Sequence, residues 1–159
     1  MIDLDPQMAA ALQTFFEESR ELLQDMENAL LFMEDAGADS ERINAVFRAA
    51  HTIKGSAGLF GLEEVVRFTH RLENLLDQIR SGITELTPVR ITLLLSCGDH
   101  IAGYLDRIAT ESSLDQSFLA EDLRLLGDLA AQLGSSPIAS TVPATAPALA
   151  PTTLAPTVS

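Results

Sequence analysis

Apolar side chains recur every three or four residues through the first 133 residues, and they nowhere alternate with the two-residue period of a half-buried strand. That spacing excludes a sheet and dictates amphipathic helices, each with one face to bury. The first helix runs through Leu12, Phe15, Phe16, Leu22, Leu23, Met26, Leu30 and Met33, stopping near Gly37. A second opens at Asp39 or Ser40, both good N-caps, with Glu41 in its first turn. Its apolar face is Ile43, Val46, Phe47, Ala50, Ile53 and Ala57, and it fades through Gly58 and Gly61. The third carries Leu62, Val65, Val66, Thr69, Leu72, Leu76 and Ile79, ending at Ser81 and Gly82. Thr87 caps the fourth, with Pro88 at its first position and Ile91, Leu94, Leu95, Ile101, Leu105 and Ile108 on one face. A fifth, from about Ser117 to Leu133, presents Leu119, Leu123, Leu126, Ala130 and Leu133. Short connections between long helices make neighbours antiparallel. The expected fold is all-α: an up-and-down antiparallel four-helix bundle, with the fifth, C-terminal helix packed outside it or leading onward.

Composition changes at Gly134. From there to Ser159 the chain has no charged residue, and prolines stand at 137, 143, 147, 151 and 156 among Ala, Thr and Ser. Proline at this spacing blocks helix and sheet, and too few large apolar groups are present to fold. Residues 1–133 are therefore expected to form one domain and 134–159 a disordered linker, which as a coil spans on the order of 30 Å. A linker at this end suggests a piece of something longer. The formal charge of −13 falls wholly on the first 133 residues. So negative a surface repels phosphate backbones, which argues against nucleic acid and anionic membrane as partners. A single cysteine, Cys97, excludes an intrachain disulfide and fits a reducing compartment. The opening MIDLDPQM has no basic region followed by an apolar run, so no signal peptide is expected. No apolar run approaches the roughly 18 residues of a membrane span.

The chemistry gathers in the second helix, in FRAAHTIKGSAGLFGL from Phe47 to Leu62. At 100° per residue, His51 lies roughly 110° from the centre of the apolar stripe, at the edge of the buried face. A ring there can be held while one nitrogen meets solvent. Arg48 and Lys54 stand at i−3 and i+3, and Gly55 and Gly58 follow on the same ridge. Glycine inside a helix costs about 1 kcal/mol relative to alanine. Two of them beside a histidine suggest bare backbone over which another protein's active site approaches the imidazole. A neutral imidazole attacks phosphorus without first losing a proton. The phosphoryl group then adds nearly two negative charges to an acidic domain, so Lys54, and secondly Arg48, supply local cation. On the third helix Glu73 lies near the stripe edge, with His70 one turn before it. An antiparallel neighbour would let Glu73 accept from His51 Nδ1–H, fixing the tautomer and leaving Nε2 reactive.

These residues carry a resemblance. NAVFRAAHTIKGSAGLFGL (Asn44 to Leu62), followed by FTHRLENLLDQIRSG (Phe68 to Gly82), closely resembles the N-terminal histidine phosphotransfer domain of the CheA family of bacterial chemotaxis kinases. FFEESRELLQDMENALLFME (Phe15 to Glu34) is similar to that family's first helix. The resemblance spans about residues 7 to 133 and implies a helical bundle with an extra C-terminal helix, followed by a linker. It implies His51 as the phosphorylated residue, Lys54 as its nearby lysine, and His70 and Glu73 as the supporting pair. It further implies that a separate ATP-binding catalytic domain, acting in trans with ATP and Mg²⁺, loads His51. The phosphoryl group then passes to an aspartate of CheY-like and CheB-like response regulators. The implied setting is cytoplasmic, with the longer protein at membrane-associated receptor arrays, and the isolated domain is expected to be monomeric.

Other motifs are poorer. Cys97 and His100 stand three apart on the fourth helix, but a zinc site needs three or four ligands and no second pair follows, so no metal is expected. No GxxxxGK[ST] loop occurs, so no nucleotide site and no activity of its own are expected. The acidic runs Glu17-Glu18 and Glu34-Asp35 read as solvated helix faces. The expected function is a phosphoacceptor and relay domain of a chemotaxis kinase. A free-standing phosphorelay intermediate and a helical interaction module without phosphorylation are the alternatives.

Overall fold

The computed structural model describes residues 5–133. It contains five helices: α1 (Pro6–Ala36), α2 (Ser40–Leu59), α3 (Glu63–Arg80), α4 (Pro88–Ala109) and α5 (Gln116–Leu133). No strand occurs among the described residues. The expected linker, 134–159, lies outside them. No helix among the described residues is long and apolar enough to cross a membrane.

Helix starts follow the chemistry of unsatisfied first-turn N–H groups. The Asp5, Asp39 and Thr87 side chains accept from the N–H groups of Met8, Arg42 and Arg90, capping α1, α2 and α4. Pro6 and Pro88 open α1 and α4, where no N–H is needed. Helix α3 lacks a side-chain cap; Glu63 and Glu64 in its first turn meet the positive end of the helix instead. Between α2 and α3 the chain reverses within residues 60–62, and Gly61 takes φ +69, which a side chain disfavours.

Helix α1 packs on α2 and α4, and α3 packs on α2 and α4, closing a four-helix ring. The ring is filled by Met26 and Leu30 of α1, Ala50 and Ile53 of α2, Leu72 and Leu76 of α3, and Leu94 and Ile101 of α4, all essentially buried. Helix α5 lies against α3 and α4, outside the ring.

The buried face of α5 differs from the expected one. Phe118, Asp122, Leu125 and Leu129 face inward, whereas Leu119 and Leu123 are 41% and 71% exposed. Both sets recur at helical spacing, and the inward one contains a carboxylate, which disguised it. Asp122 is buried because its Oδ1 meets His100 Nε2 at 3.0 Å and accepts from the Tyr104 hydroxyl at 2.7 Å. The Phe118 ring lies between the stacked His100 ring, centroids 4.2 Å apart, and the Arg107 guanidinium, 4.2 Å from its centroid. A Cβ on Gly103 would stand 2.9 Å from Phe118 Cε2, so α5 docks where α4 has no side chain.

Gly103→Ala should therefore lower stability to urea by about 1–3 kcal/mol, because the clamped ring cannot give way. Gly127→Ala on α5, where a Cβ meets nothing within 4 Å, should instead gain up to about 1 kcal/mol. Equal effects at the two sites would refute this seating of α5.

Candidate functional site

Helices α2 and α3, joined by their tight turn, run side by side in a register marked by three contacts. Near the turn, a Cβ on Gly58 would lie 4.0 Å from Val66 Cγ2. In the middle, Glu73 reaches both His51 and Lys54. At the far end, the Arg80 guanidinium covers the Phe47 ring at 3.9 Å.

Glu73 is the centre of the cluster. It is 6% exposed, its Oε2 accepts from His51 Nδ1, and its Oε1 meets Lys54 Nζ at 2.5 Å. Burial pushes the Glu73 carboxyl up, but hydrogen bonds and charge from Lys54 and His51 outweigh it and hold the group below the usual carboxylate value. The His51 side chain is 62% exposed, and its Nε2 has no partner among the described residues. With Nδ1–H spent on the carboxylate, Nε2 carries the lone pair and faces water.

The other sequence-derived residues divide. Lys54 joins the cluster, but its ammonium is engaged on Glu73. His70 is exposed on α3 one turn before Glu73 and hydrogen-bonds none of the three. Arg48 is exposed and unpaired among the described residues. Gly55 and Gly58 are exposed; a Cβ on Gly55 would touch nothing within 4 Å, so packing inside the domain does not require that glycine. Cys97 and His100 point inward, and burial pushes the Cys97 thiol up to about 12.

Phe47 and Arg80 were missed as neighbours of the site. Phe47 is only half-buried; its ring lies near-parallel to His51, 11° between planes and 6.0 Å between centroids. The Arg80 guanidinium lies over the same ring and pairs with Asp77 at 2.7 Å. The i−4 spacing of Phe47 to His51 was a signal, obscured because the same residue also fits the apolar stripe. Nothing local marks Arg80.

An imidazole held at one nitrogen by a buried carboxylate, with the other open on the surface of a helical bundle, is the arrangement of a histidine phosphotransfer domain. The chain belongs to the Hpt domain family, whose model matches residues 10–111. It is 41% identical over 138 residues to the chemotaxis protein CheA of Klebsiella aerogenes, covering 85% of this chain and 21% of that protein. It is also 41% identical over 120 residues to CheA of Salmonella typhimurium, covering 76% of this chain and 18% of that protein. The chain thus spans about a fifth of the length of these relatives. Among solved structures, it is similar to the histidine phosphotransfer domain of CheA in solution, with TM-score 0.63 and 32% identity over 74% of this chain and 90% of that one. It shares its fold with the phosphorylated P1 domain of CheA3 from R. sphaeroides, solved in complex with CheY6, with TM-score 0.67 and 23% identity over 77% of this chain and 98% of that one.

Because the Glu73 carboxyl is depressed in the folded state, its contribution to stability is full above the ordinary carboxylate pKa. It is lost as pH falls from there through the lowered folded value. The stability gap between wild type and Glu73→Gln, followed by urea unfolding, should be widest near neutrality and close across that acidic window. A gap independent of pH would contradict a charged Glu73.

Proposed function

We propose that this chain is the phosphoaccepting and phosphotransfer domain of a chemotaxis-type histidine kinase, with His51 as the residue that carries the phosphoryl group. The observation that carries the reading is the His51–Glu73 contact, which leaves Nε2 as an exposed nucleophile of defined tautomer. Residues 1–133 form the functional domain in this reading, and 134–159 tether it.

In the loading step the Nε2 lone pair attacks the γ-phosphorus of ATP. The N–P bond forms as the bond to the bridging oxygen breaks, and ADP departs with that electron pair. The ring gains positive charge, which the Glu73 carboxylate stabilises through Nδ1–H, much as carboxylates do for other catalytic histidines. Lys54, held level with the ring by Glu73, offsets charge on the phosphoryl oxygens. His70, exposed one turn before Glu73 and outside the cluster's hydrogen bonds, supports the phosphoryl group or the arriving partner rather than His51 itself. ATP and Mg²⁺ act through a separate catalytic domain, reached in trans; the chain itself has no phosphate-cradling loop. In the second step an aspartate oxygen of a CheY-like or CheB-like receiver attacks phosphorus, and the N–P electron pair returns to Nε2. Arg48, Gly55 and Gly58 form the surface over which partners dock. The CheA relatives support the kinase setting, and the CheA3–CheY6 complex supports a CheY-like receiver as partner. The setting is cytoplasmic, the domain alone is a monomer, and alone it has no catalytic activity.

With radiolabelled ATP, the chain should take no label by itself and an acid-labile label when a chemotaxis kinase catalytic fragment is added. His51→Gln should take none; label surviving there would end the assignment. Glu73→Gln should slow labelling on the order of ten- to a hundredfold while helicity is kept. Gly55→Ala should raise stability by about 0.5–1 kcal/mol, whereas Gly55→Leu, equally unopposed inside the domain, should slow labelling. Equal labelling of the wild-type and Gly55→Leu chains would remove Gly55 from the docking surface.

A further inference from the structure

Glu73 holds His51 by one nitrogen. An N–H···O bond tolerates a tilt of about 30°. At the far side of the ring, where phosphorus is met, such a tilt exceeds the roughly 1 Å misplacement that can cost about a hundredfold in rate. The carboxylate therefore fixes the tautomer and anchors one edge of the ring, but it leaves the plane of the ring free to rock. More than half of the His51 side chain is exposed, so few other groups can stop that motion.

The aromatic ring beside it is Phe47, one turn earlier on α2. Its plane lies 11° from that of the imidazole, with 6.0 Å between centroids. Phe47 is only half-buried, so its own ring also needs holding. The Arg80 guanidinium does this from 3.9 Å above the phenyl centroid. Arg80 in turn pairs with Asp77, one turn back on α3, at 2.7 Å. Asp77, Arg80, Phe47 and His51 thus form a continuous series from the end of α3 to the imidazole. Glu73 grips the ring at Nδ1, and the series flanks it toward the start of α2.

A guanidinium over a phenyl ring is not in itself a sign of function. Arg42 covers the Phe32 ring at 3.7 Å and pairs with Asp39 at 3.0 Å, the same three-part arrangement. The difference is place: at about 100° per residue, Arg42 projects from the opposite side of α2 to His51. Only the Arg80 arrangement ends on the nucleophile.

We propose that Phe47 and Arg80 are positioning residues for phosphoryl transfer: the phenyl ring, held by the guanidinium, keeps the His51 imidazole in one plane so that the Nε2 lone pair points along one line. The inference rests on the reading that Nε2 of His51 takes the phosphoryl group. A device that acts on orientation changes how fast the bound chain reacts and leaves its affinity for the kinase alone. Because the Arg80 contact is exposed, its loss widens the range of ring orientations without abolishing the productive one.

The test uses the 159-residue chain, a chemotaxis kinase catalytic fragment and radiolabelled ATP, with the chain concentration varied so that kcat and KM are separated. Arg80→Gln should lower kcat about two- to fivefold and Phe47→Leu about five- to twentyfold, with KM kept within about twofold. Phe47→Tyr, which keeps the ring, should restore most of the kcat lost in Phe47→Leu. Arg42→Gln removes the same charge and the same kind of contact elsewhere, and should alter neither constant. Carbon-13 relaxation of His51 Cε1–H in the unphosphorylated chain gives an independent reading. Its order parameter should fall in Arg80→Gln and Phe47→Leu and hold in Arg42→Gln. A wild-type kcat in both Arg80→Gln and Phe47→Leu, or a loss confined to KM, overturns the positioning role alone. An equal loss of kcat in Arg42→Gln does the same by pointing to total charge, as does an unchanged order parameter. Label that persists in His51→Gln overturns the relay reading and this inference with it.

Discussion

A carboxylate taken out of water between two helices stays charged only if donors or cations meet both of its oxygens. Glu73 is in that position, and the two groups that meet it, His51 and Lys54, come from the neighbouring helix one turn apart. The need to satisfy one buried charge therefore fixes three things together. It sets the sliding register of α2 on α3, aims the imidazole, and keeps a lysine ammonium level with the ring. Lost contacts here cost more than an average surface ion pair, because the charge left behind has little water to return to.

The fifth helix is attached by a second buried carboxylate with a different outcome. Asp122 meets His100 and Tyr104, and the aromatic rings of His100, Tyr104 and Phe118 close around it. The His100 side chain is 3% exposed, against 62% for His51. Both histidines face a carboxylate 22 residues further along the chain, yet only one keeps a nitrogen in solvent. Pairing with an acid does not by itself make a histidine a nucleophile; the packing on the ring's other side decides.

That comparison also explains what could be read in advance. His51, Lys54 and Glu73 were legible because helical spacing fixes angular position, and a polar residue at a stripe edge has few places to go. The ring of four helices followed from the same periodicity. Asp122 defeated it: a carboxylate inside an apolar stripe shifts the apparent stripe to the next set of leucines, and only its partners on α4 correct the phase. Arg80 over Phe47 is a contact between the start of one helix and the end of the next, for which local pattern holds no information.

Surface clefts among the described residues lie between α1 and α4, between the start of α3 and the end of α4, and between α4 and α5, and none of these is lined by His51. His51 stands on the outer side of α2, its side chain 62% exposed. In the proposed relay, a phosphoryl group carried on Nε2 meets bulk water from the moment its bond forms. How long the cargo lasts is then a property of the phosphorus–nitrogen bond, and how much of it arrives is decided by how often a recipient collides. In that relay the load is lost at the pace of the bond's hydrolysis, and that pace sets a minimum concentration of recipient below which the signal decays before it is delivered.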